Sequence, residues 1–237
     1  MKRPPKPSPH RVPRRIAVAR LLAMTVASIL LSYTADGRYI AYPMRLFTTM
    51  IHEGGHVVAT IISGGSVQKL DVFQNGSGVT ISSGGIPLLI YPAGYIGSAL
   101  FGAGLLLITR RMNGKKLLLI LATLLFCETA FFIRPINGDF TGLLAGSALA
   151  LIIGGAGLIL PEGIASWIAV FLGVQCCLNT VYDLRVLLQT SNGYRVQNDA
   201  VLLAHYIPLP PIVFAITWTI VGIGGLIIAL KVYLSER

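Results

Sequence analysis

Acidic side chains are scarce in this chain, with nine Asp and Glu among 237 residues against nineteen Lys and Arg. Charged residues of both signs make up 12%, where a soluble domain carries about 25%. That shortage, with a mean hydropathy of +0.73, excludes an ordinary soluble fold. Cysteine is also sparse: Cys127, Cys176 and Cys177 lie in apolar runs without CxxC spacing, which excludes a disulfide framework and leaves them as small core residues. No internal repeat of solenoid length is evident. The net charge of +10 comes without aromatic interleaving or a base-reading motif, so nucleic acid is excluded as a partner. Much of that charge sits in a Pro-rich N-terminal tail, where it suits the anionic headgroups of a lipid bilayer.

The apolar residues are concentrated in runs of bilayer-spanning length at 16–33, 43–62, 86–108, 117–133, 140–160, 164–188 and 211–233. The expected fold class is an all-α polytopic membrane protein with six or seven membrane helices. Residues 1–15 read as a basic, disordered tail, and 16–237 as one membrane-embedded domain. The first run resembles a signal peptide in its basic flank, but no A-x-A site follows it, so an uncleaved helix is expected. Pro43 is expected in the first turn of the second helix. Between the second and third runs, "SVQKLDVFQNGSGVTISSGG" alternates polar and apolar residues around Asn75-Gly76; it predicts a short β-hairpin, held at the interface or inside the protein. Gly138, Gly142, Gly146, Ala150 and Gly154 recur at four-residue spacing and predict close helix packing.

The tail and the "RRMNGKK" loop at 110–116 are two basic clusters that the positive-inside rule places together in the cytoplasm. Three runs separate them, so one is expected not to cross. Pro87 and Pro92 make 86–108 the candidate for a broken or re-entrant path.

One apolar run carries "IHEGGHVVAT". His52 and His56 are four residues apart, about 40° round a helix, so both imidazoles reach a single ion. Glu53 points about 100° away and is better placed beside a water at the metal than on the metal, which is the division of labour of an HExxH zinc hydrolase. Each such residue costs about 2.5–3.5 kcal/mol at the centre of a membrane helix when ionised; a metal relieves that cost. Catalytic zinc takes three protein ligands, and Glu53, Glu128 and Asp183 are the acidic residues inside apolar runs. Asp183 is the expected third ligand, Glu128 its competitor, with Asp199 and His205 in the following polar loop behind them. Gly54 and Gly55 serve either helix packing or close approach of backbone to the metal.

The chain resembles the site-2 protease family of intramembrane zinc metallopeptidases, in its compact bacterial-type branch. The matching elements are "HEGGH", the Gly-rich hairpin, "AGYIGSALFGA", "LNTVYDL" and "NDAVLLAHYIPLPPIVFAITW". The resemblance implies a Zn2+ held by His52, His56 and an aspartate from a later helix, Glu53 as catalytic base, a strand that receives unwound substrate, transmembrane or membrane-associated protein substrates, and a cell-membrane location. It departs from the family's Leu-Asp-Gly signature in having Tyr182-Asp183-Leu184. The rival reading is a metal-binding membrane protein or transporter without proteolysis, which needs the ligands but not Glu53.

Overall fold

The computed structural model describes residues 12–192 and 194–235. The disordered-tail expectation for residues 1–11 lies outside them, and Arg14 and Arg15 already belong to the first helix. The order is α1 (Arg14–Tyr33), α2 (Ala35–Ile62), β1 (Ser66–Val72), β2 (Gly78–Ser83), α3 (Pro87–Thr109), α4 (Gly114–Phe131), α5 (Thr141–Ile159), α6 (Glu162–Thr190), α7 (Asp199–Ala204) and α8 (Pro211–Ser235). By length and composition, α3, α5, α6 and α8 are apolar enough to cross a membrane. Charged residues in α1, α2 and α4 dilute their hydropathy.

Two expectations about helices need correction. α2 begins eight residues before Pro43, where Asp36, Gly37 and Arg38 interrupt the apolar run and hide helical chain from a hydropathy reading; a helix can carry Pro there at the loss of one backbone hydrogen bond. The run 86–108 is not broken but forms one helix, α3, with Pro87 in its first turn and Pro92 inside it. The two basic clusters nevertheless meet. Val12 N–H donates to Arg110 O at 3.0 Å, and the fully buried Arg110 guanidinium donates to the carbonyls of Tyr233 and of Val12. The start of α1, the α3–α4 loop and the end of α8 therefore share one end of the molecule.

Helix sense follows from which residues touch. Tyr95 stacks on Trp218 and Ala99 faces Gly222, so α3 and α8 run parallel. Gly102 lies against Cys176 and Leu106 against Gly173, so α3 and α6 are antiparallel. α4 opens with its first N–H groups on a carboxylate, Gly114 N and Lys115 N donating to Glu162 at 2.7 and 3.2 Å, a favourable charge for a helix N-terminus. α5 packs on α4 through the expected small residues, Gly146 against Thr129 and Gly154 against Ala122. Gly138 leaves that ridge: with Asn137 it takes positive φ, 78° and 53°, in the turn before α5. The three cysteines are free.

The hairpin forms as the alternation predicts, antiparallel from Ser66↔Ser83 to Val72↔Gly78. Its connection is wider than a two-residue Asn-Gly turn. Phe73 N bonds Ser77 O at 2.8 Å, Asn75 Oδ1 accepts from Ser77 N and Oγ, and Gly76 takes φ 79°. β1 is covered on its outer edge by the chain after α4, through Leu70 N to Phe132 O and Arg134 N to Leu70 O. Buried Asp71 locks this junction, accepting from Val72 N at 2.9 Å and Ile136 N at 2.7 Å. Among the described residues the outer edge of β2 pairs with no strand.

Candidate metal centre

α2 supplies two imidazoles and a carboxylate from successive turns. The Nδ1 of His56 lies 2.8 Å from Ile90 O; a carbonyl only accepts, so Nδ1 carries the proton and Nε2 keeps its lone pair for a ligand. His52 packs edge-on against the Tyr95 ring, with centroids 4.6 Å apart. Both Nε2 atoms face Asp199: Oδ2 is 3.8 Å from that of His52 and 3.6 Å from that of His56. These three donors lie within 4.8 Å of one another, the metal-binding group found among the described residues. Burial works against a charged Asp199, yet His56 and His52 beside it hold its carboxyl well below the usual carboxylate range.

The donor chemistry fits a zinc ion, two imidazole nitrogens and a carboxylate oxygen. A cradle is present as well. A Cβ on Gly94 of α3 would collide with the Nε2 of both histidines, so the missing side chain leaves the space in front of the ligand atoms clear.

Glu53 is buried, lies outside that cluster, and rests its carboxylate on the hairpin. Its Oε2 accepts from Thr80 Oγ1 at 2.7 Å, and Gly78 comes close to its carboxylate. Glu53, the histidines, Asp199, β2 and Asp183 all line one cavity of about 870 Å³.

The third carboxylate differs from the sequence expectation. Asp183 stands on α6 in the cavity wall, but outside the three-donor cluster. Asn179, one turn back on the same helix, donates to its Oδ2 at 2.7 Å and holds it along α6. Asp199 takes the expected position from the first residue of α7. Asn198 caps that helix, its Oδ1 accepting from Val201 N at 3.0 Å, while its amide donates to Thr190 and Ser191 hydroxyls at the end of α6. An Asn-Asp pair ahead of "AVLLA" is a helix-start signal; it is the sequence feature that could have found this position. Glu128 on α4 faces Gly54, with Oε1 3.1 Å from where a Cβ would lie, about 160–200° round α2 from the histidines. His205 sits at the C-cap of α7 with its ring near Tyr194. Neither is in the cluster. Gly55 serves packing, since a Cβ there would strike the Ala93 carbonyl.

Comparison with curated proteins and with solved structures found no match. A family model described as Peptidase M50B-like matches residues 21–229, a span that takes in the HExxH helix, the hairpin, α3, α6 and Asp199. The match covers most of the chain, and this chain belongs to that family: it is a member of the Peptidase M50B-like family, the site-2 protease family of intramembrane metallopeptidases.

Proposed function

We propose that the protein is an intramembrane zinc metalloprotease that hydrolyses peptide bonds in membrane-associated protein substrates, with His52, His56 and Asp199 as zinc ligands and Glu53 as the catalytic base. The observation that carries this reading is the convergence of three ligand atoms beside a buried glutamate and an open strand edge in one cavity.

Zinc bound there supplies Lewis-acid polarisation of the scissile carbonyl and a water whose pKa falls to about 7. The residues of the chain do the rest. Glu53 takes the proton of the attacking water on its carboxylate and delivers it to the leaving amine. Thr80 Oγ1, bonded to Oε2, keeps that carboxylate from rotating away. A transmembrane substrate hides its carbonyls in helical hydrogen bonds, so it must first unwind. The unpaired edge of β2 offers the exposed amides and carbonyls replacement partners by strand addition. Asp183 and Tyr95 line the same space and orient what enters it.

The test is Glu53→Gln. Cleavage of a transmembrane substrate should fall to background while bound zinc stays at the wild-type level, since Glu53 faces Thr80 and not the cluster. Wild-type protein that cleaves no transmembrane substrate removes the protease reading, a Glu53→Gln protein that cleaves normally removes Glu53 as the base, and loss of zinc from that variant makes Glu53 a ligand.

A further inference from the structure

α2 turns one stripe toward the cavity: Arg45, Thr49, His52, Glu53 and His56. Steps of four, three, one and three residues keep them on one helical face. Arg45 is the one lysine or arginine in that lining. Seven residues separate it from His52, so it stands about 10 Å from the metal centre along the axis, at ~1.5 Å per residue. Among the described residues its guanidinium has no ion pair, the pairs found being those of His52 and His56 with Asp199.

The side chain is held in place by the hairpin. Gly76 presses so closely that a Cβ there would lie 2.9 Å from Cδ and Cζ of Arg45. The turn is tied down on either side, by Thr49 Oγ1 donating to Gly76 O at 2.9 Å and Tyr42 OH donating to Gln74 O at 2.7 Å. From this turn β2 runs along α2 to Thr80, which bonds Glu53. A strand rises ~3.3 Å per residue, so a segment laid along β2 covers the ~10 Å from the metal centre to Arg45 in about three residues.

We propose that Arg45 is a specificity-determining residue: it recognises a side-chain carboxylate about three residues from the cleaved bond, and the substrates are membrane-protein segments carrying Asp or Glu at that position. The inference rests on the protease reading above. Arg45 is exposed, so its cation is open to a partner, and a guanidinium pairs with a carboxylate in a bidentate, charge-assisted geometry. A neutral side chain leaves the cation unpaired, and a basic one is repelled.

The experiment measures binding apart from turnover. Zinc-loaded Glu53→Gln protein in detergent micelles is titrated with fluorescent peptides that carry one Glu at successive positions, with their all-Gln counterpart, and with a peptide whose sole carboxylate is its C-terminus. One Glu position should bind about threefold tighter than Gln, in keeping with an exposed ion pair, and wild-type cleavage of that peptide should fall about three residues away. Adding Arg45→Gln should erase the preference. Adding Arg45→Glu should transfer it to the peptide with Lys at that position, an outcome that a merely structural role for Arg45 does not produce. Equal affinity for Glu and Gln peptides, no binding of either, or a preference confined to the terminal carboxylate overturns the inference. Wild-type protein that shows the charge preference but cleaves none of the peptides overturns the protease reading and leaves the carboxylate site standing.

Discussion

Gly94 contributes to the metal centre by what it lacks. Its neighbours in the site are the Nε2 atoms of His52 and His56, and a single methyl there would occupy the space before both. Gly94→Ala should therefore abolish stoichiometric zinc binding while the helices persist, read by metal analysis beside far-ultraviolet circular dichroism; full zinc occupancy would show that the ion sits elsewhere. At this scale the sequence is uneven in what it discloses. His52, Glu53 and His56 are legible because three polar groups inside an apolar run carry an energetic cost that a metal relieves. Asp199 is masked by the same logic, since a carboxylate in a polar loop advertises no cost, whereas Asp183 advertises one and is satisfied by Asn179. Gly94 is one of 26 glycines, and a glycine in a membrane helix reads first as packing.

Short elements position the long ones' chemistry. α7 has six residues, too few to show periodicity, yet it brings the third carboxylate to the histidines. Asn198 links its first turn to Thr190 and Ser191 at the end of α6. Asn198→Ala should remove a cap of about 1 kcal/mol and loosen Asp199, weakening zinc affinity ~10–100-fold, the usual cost of losing a partner behind a ligand. Asn198→Asp, which keeps the capping oxygen, should lose much less. A chelator competition titration measures both, and unchanged affinity in the alanine variant would mean that α7 is held by packing alone. The hairpin was legible because alternation and an Asn-Gly pair coincide, although Asn75 spends its side chain on Ser77 within a wider turn. The start of α2 was not, because Asp36 and Arg38 interrupt the apolar pattern and Pro43 looks like a boundary.

Across the whole molecule, the site exists only because distant parts of the chain converge: α2, the hairpin, α3 and the segment between α6 and α8 all line one cavity. Hydropathy located the long helices, and charge anticipated that the tail and the α3–α4 loop lie at one end, which Val12 and Arg110 bear out. Neither signal carries information about which loop folds back over α2, so the third ligand was beyond its reach. The metal content of purified wild-type, Asp199→Ala and Asp183→Ala proteins tests the account at its centre. One zinc per chain in the wild type and in Asp183→Ala, with zinc lost from Asp199→Ala at unchanged helical content, is the predicted result. Zinc retained by Asp199→Ala and lost from Asp183→Ala would contradict it.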